Sequence, residues 1–346
     1  LNLTDHELQF DSRPPIPFDV LSIGIGSVPG TDGLVAGTEQ FVAIKPMQTF
    51  RQRLAAVIGA STTTAGGDSR LRVLIVGGGV AGTEITFCLP HFLRQISPRE
   101  HILRLVTRSN QIVPSLSTST RRRLVRELNS RGVDVTTGRQ VTQISRGQVS
   151  LDDGSTVHAD VVIWATGADA PPLLGRLGLP VDQRGFLATD ATLQSVSGEP
   201  VFAVGDTGTI VSESVPKAGV YAVRQGPVLW DNIHRLLDRK SLRPYVPQRS
   251  FLKLINLADG RALGQWHGLA LTGHWVMKWK NSIDTNFMKR YQPEEMAAAD
   301  DQPMQCRGCG SKLGSQMLTS ALRGDDGEAI AFADAAEIGS DPEHPL

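Results

Sequence analysis

The sequence predicts an α/β protein built on a doubly wound, mostly parallel sheet, and three observations carry that expectation. An apolar strand, Arg72 to Val76, runs straight into Gly77-Gly78-Gly79-Val80-Ala81-Gly82 and a helix from about Thr83. Strand and helix signals then alternate as far as Ala165, the order that a parallel sheet with crossover helices requires. Glycine is abundant, 35 of 346 residues, while aromatic residues make up only 5% and apolar residues 40%. That mixture suits tight strand-to-helix turns and a packed interior, not a fibrous or disordered chain. The length allows two or three domains, each with its own core.

The elements follow in order. The opening, LNLTDHELQFDSRPPIPFDVLSIGIGS, reads as an extended piece, a proline-rich turn and an apolar strand, Asp19 to Ile25, ending at Gly26-Ser27. It starts as if already inside a domain. A helical stretch, Met47 to Ile58, follows Lys45-Pro46 and is expected to close that first domain, and Gly59 to Ser69 is small, polar and connector-like. Beyond the glycine turn comes a strand, Ile102 to Thr107. A hydroxyl-capped helix then runs from Ser117 to Ser130, carries Arg121, Arg122 and Arg123, and stops at Gly132. Strands around Val133 to Ile144 and Gln148 to Leu151 precede an Asp153-Gly154 hairpin, and Asp160 to Ala165 is the next apolar strand. The middle pieces look like an antiparallel insertion in the parallel sheet.

The formal net charge is zero, which argues against nucleic acid as a partner. Three cysteines, Cys88, Cys306 and Cys309, are too few for a disulfide scaffold and suit a reducing cytoplasm. No apolar run approaches the roughly 18 residues of a membrane span.

Gly77, Gly79 and Gly82 satisfy G-x-G-x-x-G in its required setting between strand and helix. There the missing side chains let the backbone turn sharply and let a pyrophosphate approach the helix N-terminus. Glu84 has two readings of equal weight, a first-turn acid favoured by the helix dipole or a carboxylate facing a nicotinamide ring. The second strand ends Val106-Thr107-Arg108 without the acid that would bind an adenosine ribose. Arg108 would suit a 2′-phosphate, but surface arginines are commonly only solvated, so the cofactor is written NAD(P).

From Val161 to Gly226 the chain reads VVIWATGADAPPL, PVFAVGDTG and VPKAGVYAVRQG. In order and spacing these segments resemble the pyridine-nucleotide flavoprotein family, most closely its type II NADH dehydrogenase-like members. The resemblance implies that Thr166-Gly167 is the crossover from the NAD(P) domain back to the FAD domain. It also implies that Gly205-Asp206 is the pair whose aspartate binds the ribityl and phosphate region of the flavin, and that Lys217 and Gln225 lie in the stretch passing the isoalloxazine. A carboxylate at the C-terminal end of a strand is chemically suited to accept a hydroxyl hydrogen bond. Two features depart from the family pattern. The earlier glycine fingerprint for FAD is absent, and no redox cysteine pair lies in the flavoprotein part, where Cys88 reads as a small buried hydrophobe.

Trp275, Trp279, Ile283, Phe287 and Tyr291 recur at every fourth position with Lys278, Lys280, Lys289 and Arg290 between them, an amphipathic helix. The stripe over 275–291 is expected to pack on the flavoprotein itself, and the alternative is peripheral contact with a membrane surface. After an acidic, alanine-rich linker, Cys306-x-x-Cys309 has no second pair and no histidine at ligand spacing, so no metal site is expected. Gly308-Cys309-Gly310-Ser311-Lys312 resembles the start of selenide, water dikinase, which implies Cys309 and Lys312 as its essential catalytic pair; nearby positive charge would favour the thiolate.

Together the segments resemble an NADH dehydrogenase-like flavoprotein fused ahead of selenide, water dikinase, truncated at both ends. The resemblance implies two Rossmann-like domains, with FAD-domain pieces at 1–65 and 181–245, an NAD(P) domain at 66–180 inserted between them, and a C-terminal α/β tail. Of that tail, 246–293 carries the amphipathic helix and 294–346 the linker and the dikinase start. The expected activity is hydride transfer from NAD(P)H to FAD and on to a quinone or similar small acceptor. The rivals are ATP-dependent selenophosphate synthesis with the flavoprotein part accessory, and a non-catalytic nucleotide-binding module.

Overall fold

The computed structural model describes residues 1–31, 34–36, 39–61, 70–213, 215–248, 250–266 and 268–289. Its centre is a five-stranded, all-parallel sheet in the spatial order Phe41–Ala43, Val161–Trp164, Leu71–Val76, His101–Thr107, Asp134–Thr137. The two central strands read as nearly continuous apolar runs because both faces are covered, and their side chains alternate between two cores. Val73, Ile75, Leu103, Leu105, Val161 and Ile163 face a helical layer. Leu74, Val76, Val106, Val162 and Trp164 face the other way.

The helical layer consists of α1, Met47–Ser61, α2, Val80–Ile96, and α3, Thr118–Ser130. Each presents an apolar stripe at helical spacing: Phe50, Leu54 and Ile58 on α1, Phe87 and Leu93 on α2, Leu124 and Leu128 on α3. Ser117 caps α3 by accepting the Thr120 amide, and Gly132 with φ +71° ends the turn after it. The opposite face is covered by the antiparallel strands Val141–Ser145, Gln148–Leu151 and Thr156–His158, which contribute Val141, Ile144, Val149, Leu151 and Val157 to that core. Gly154, with φ +81°, makes the predicted hairpin turn.

The expected boundary near residue 65 does not separate the opening segment from this sheet. Phe41–Ala43 extends the parallel sheet beside Val161–Trp164, α1 fills the same core as α2 and α3, and Val35–Ala36 pairs with Val141–Ser145. Burial of the α1 stripe against Val42 and Ile163 is the physical reason, and that is a tertiary contact.

A second, smaller α/β unit joins residues distant in sequence. Leu21–Ile23 runs parallel to Val201–Ala203, and Leu187–Thr189 parallel to Gly208–Ile210, around Phe186, Leu174 and Leu177. Helix α4, Gly219–Leu237, packs on it through Val228, Leu229 and Ile233. The two units are linked by a short antiparallel ribbon, Val28–Pro29 against Ala168–Asp169.

The meander Lys253–Asn256, Ala262–Trp266, Leu269–Gly273 places Ile255, Leu257 and Leu263 in the helical core and leads into α5, His274–Lys289. A charged clamp fastens it to α3: Arg131 donates to the Leu257 carbonyl and to Asp259 (2.7 Å), and Arg261 reaches Glu127 at 3.0 Å. The aromatic stripe of α5 is packed only in part, with Trp279 and Phe287 half-buried. Val276 is buried and Lys280 and Asp284 are nearly so, while Trp275 is 56% and Ile283 41% exposed. Trp275, Trp279 and Trp266 instead form a ring cluster with centroids 6.0 and 6.5 Å apart. Tyr291 and Arg290 lie outside the described residues, as do 294–346 with Cys306, Cys309 and Lys312. Among the described residues no helix is long and apolar enough to cross a membrane.

Candidate functional site

Each glycine of the turn after Leu71–Val76 meets a different constraint. Gly77 has φ +118°, and a Cβ there would lie 2.3 Å from the Ala165 carbonyl oxygen, so only glycine lets the chain turn against the neighbouring strand. A Cβ on Gly82 would lie 1.9 Å from the Gly77 carbonyl oxygen, which makes Gly82 the point of closest approach between α2 and the turn. Gly79 is different: it is exposed, its φ of −72° suits any residue, and a Cβ there would meet nothing within 4 Å. Its missing side chain leaves open space in front of the N-terminus of α2, which has no side-chain cap. These are the separate roles of turn, packing and ligand approach that a diphosphate cradle needs. The residues present fit such a group.

Thr107, at the C-terminal end of the next strand, lies against Gly78, which places exposed Arg108 beside the mouth of the turn. The crossover is laced tightly. The Gly30 carbonyl accepts from Thr166 Oγ1 (2.5 Å) and Trp164 Nε1 (2.7 Å), and the Gly30 amide donates to the Gly167 carbonyl (2.7 Å).

On the smaller unit, Val201–Ala203 ends at Gly205, whose φ of +63° turns the chain into a short helical turn holding Asp206. Buried Gln225 on α4 accepts the Gly205 amide at 2.6 Å, so it anchors the turn. Asp206 Oδ2 accepts from Ser27 Oγ (2.7 Å) and Lys45 Nζ (3.3 Å). Oδ1 has no partner among the described residues. Ser27 and Lys45 were not singled out in the sequence; Gly26-Ser27 at a strand's C-terminal end was the available signal. The N-terminus of α4 has no side-chain cap, and a recess runs from Gly205 and Gly208 to Lys217, Ala218 and Tyr221. An unpartnered carboxylate oxygen beside uncapped helix amides fits a polyhydroxyl chain and a polar ring.

Lys217 turns its amine inward, donating to the Gly208 carbonyl (2.5 Å) and Thr209 Oγ1 (2.9 Å), 4.0 Å from the Phe186 ring centroid. Burial lowers its pKa to about 8 against the pull of Asp182 and Asp206. Glu84 does not match the first-turn reading. Helix α2 begins at Val80, so Glu84 is past the first turn, and its Oε1 accepts the Asn256 amide (3.1 Å) with Lys280 Nζ at 3.9 Å. Burial raises its carboxyl above the ordinary range although Lys280 opposes the shift. Its partners, Asn256, Lys280 and Asp284, come from the C-terminal meander and α5, more than 170 residues away.

A family model described as pyridine nucleotide-disulphide oxidoreductase matches residues 5–226. The chain belongs to the pyridine nucleotide-disulphide oxidoreductase family. Within its described residues this family member has one cysteine, Cys88 on α2, which is only partly buried and not the core residue expected. Over 209 residues the chain is 24% identical to the type II NADH:quinone oxidoreductase of Haemophilus influenzae, covering 57% of this chain and 47% of that protein. Over 197 residues it is 28% identical to the demethylphylloquinone reductase of a Synechocystis species, covering 55% and 46%. The chain thus spans about half the length of these curated relatives. Among solved structures, NDH2 of Plasmodium falciparum in complex with NADH superposes with a TM-score of 0.70 at 12% identity, over 85% of this chain and 79% of that one. The sulfide:quinone oxidoreductase of Aquifex aeolicus gives 0.67 at 15%, over 89% and 80%. At these identities the likeness is one of fold.

Proposed function

We propose that the chain is the nucleotide- and flavin-handling part of an FAD-dependent NAD(P)H:quinone oxidoreductase of the type II NADH dehydrogenase kind. The observation that carries the reading is the glycine turn, with one position open for a ligand and two closed by backbone. The names of the relatives, which include NADH:quinone and phylloquinone-type reductases, support it.

In this reading the amides of Gly77 to Gly82 and the positive end of α2 hold the diphosphate of NAD(P)H, with Arg108 at its adenosine side. Asp206 accepts a ribityl hydroxyl through Oδ1, Gly205 and Gln225 fix the turn that carries it, and the amides opening α4 face the flavin's polar edge. When bound, the flavin supplies acceptance of hydride from NAD(P)H and release of electrons to a quinone. Lys217 supports the floor beside Gly208, and Glu84 joins the nucleotide helix to α5. The proposed division assigns 41–61 with 71–164 to the nucleotide unit, the segments around 21–30 and 168–237 to the flavin unit, and 253–289 to a C-terminal cap.

The test is an absorbance titration of the complete gene product. FAD uptake, bleaching by NAD(P)H and reoxidation by a short-chain quinone are expected. Protein that takes up no flavin, or flavin that NAD(P)H does not bleach, would overturn the reading.

The exposure of Trp275 and Ile283, with Lys278 and Lys289 also exposed on α5, supports peripheral contact with a lipid surface, testable by sedimentation with anionic vesicles. The motif at Cys306, Cys309 and Lys312 supports a fusion to selenide, water dikinase. ATP consumption with selenide, lost in Cys309→Ser, is the expected result.

A further inference from the structure

Asp206 is held by two residues from different parts of the fold, and the direction of the hydrogen bonds can be followed atom by atom. Lys45 Nζ donates to Ser27 Oγ at 2.6 Å, and also lies 3.3 Å from the Ser27 carbonyl oxygen. The Ser27 hydroxyl in turn donates its one proton to Asp206 Oδ2 at 2.7 Å, since an ionised carboxylate can only accept. Lys45 Nζ is itself 3.3 Å from the same oxygen. One carboxylate oxygen therefore carries two donors and the other none among the described residues.

The backbones of both partners are fixed. Lys45 follows Ile44, whose amide donates to the Trp164 carbonyl at 3.0 Å and continues the edge strand of the five-stranded sheet. Ser27 follows Gly26, whose amide donates to Thr207 Oγ1 at 2.8 Å beside Asp206. Lys45 is thus built on the nucleotide sheet and ends on the flavin-side turn. The Lys45 and Asp206 side chains are 39% and 20% exposed, and ion pairs this open to water contribute little to stability. A fixed carboxylate orientation is then the main consequence of the arrangement.

We infer that Lys45, acting through Ser27, is a positioning residue that locks Oδ2 of Asp206 and so presents Oδ1 to a hydroxyl of the bound flavin's ribityl chain. The inference rests on the proposed flavin reading and deepens it. Losing one charge-assisted hydrogen bond corresponds to roughly tenfold or more in affinity.

The test is a double-mutant cycle on FAD affinity, measured with the full chain by quenching of flavin fluorescence and with NADH affinity as the folding control. Lys45→Met is expected to weaken FAD binding about tenfold, Lys45→Arg to restore most of it, and Ser27→Ala to weaken it while leaving the lysine in place. In an Asp206→Asn background, Lys45→Met should add little, because it acts through the group already removed. Equal FAD affinity in wild type and Lys45→Met would overturn the inference alone, and so would full additivity with Asp206→Asn, the mark of a lysine touching the ligand directly. A wild-type chain that binds no FAD would overturn the flavin reading and this inference with it. Should Lys45→Met fail to fold, Ser27→Ala and Lys45→Arg carry the same comparison.

Discussion

Gly79→Ala and Gly82→Ala should separate ligand approach from packing within a single turn. At Gly79 the new methyl meets no heavy atom within 4 Å and the backbone angles already suit alanine. Stability should hold or rise by about 0.4–1 kcal/mol, because the unfolded chain loses freedom. The same methyl occupies the space through which a diphosphate reaches the amides of α2, so NADH affinity should fall at least about tenfold, or ~1.4 kcal/mol. At Gly82 the new Cβ would stand 1.9 Å from the Gly77 carbonyl oxygen and 3.2 Å from Ala165 Cβ. Restoring an ordinary contact of about 3.5 Å needs a displacement of ~1.5 Å between helix and turn, and overpacking of this kind costs about 1–3 kcal/mol or more. Urea unfolding gives the stabilities and isothermal titration with NADH the affinities. Gly79→Ala that binds NADH like wild type, or that is destabilised as much as Gly82→Ala, would refute the assignment of the turn as a diphosphate cradle.

Leu54→Ala on α1 should cost about 2–5 kcal/mol in urea unfolding, since Leu54 is fully buried in the helical core. The Lys217 amine should titrate near pH 8 in the NMR spectrum of the 13C-dimethylated protein, well below an ordinary lysine. Its folded value is depressed, so the destabilising burial of its charge is fully present below pH 8 and is relieved as pH rises toward 10.5; unfolding midpoints of wild type relative to Lys217→Met should rise over that window. For Asp259, burial pulls the carboxyl up, but hydrogen bonds from Arg261 and the nearby charges of Arg131 and Arg261 outweigh it and hold the pKa low. Its contribution is therefore present above about pH 4 and lost as pH falls further. Asp259→Asn should cost about 1 kcal/mol or less at pH 7, and the difference from wild type should shrink as the pH falls below about 4 in acid-dependent urea titrations.

The glycine turn was legible because its demands are local: a preceding apolar strand and three missing side chains state the geometry within six residues. Asp206 was reached only through family resemblance, since its partners Ser27 and Lys45 stand about 180 and 160 positions away and no short-range pattern joins them. The edge strand Phe41–Ala43 is three residues long, too short for a period, and only its pairing with Val161–Trp164 places it in the nucleotide sheet. The partners of Glu84 are out of reach of a local reading for the same reason, since they arrive with the C-terminal meander. The stripe on α5 was periodic and real, yet periodicity gives a face without saying what the face meets. Here Val276, one position along, turned out to be the buried contact.

The crossover at Gly30 ties together the two chains that pass between the units. Three hydrogen bonds converge on one residue, two on its oxygen and one from its nitrogen, and they join the outgoing and returning chains into a single strut. Because donors and acceptors all lie on the two crossing chains, the strut holds those chains to each other, and any bending between the units falls to the backbone on either side of it. The outgoing and returning chains therefore enter the smaller unit as a matched pair, in a register that Gly30 secures.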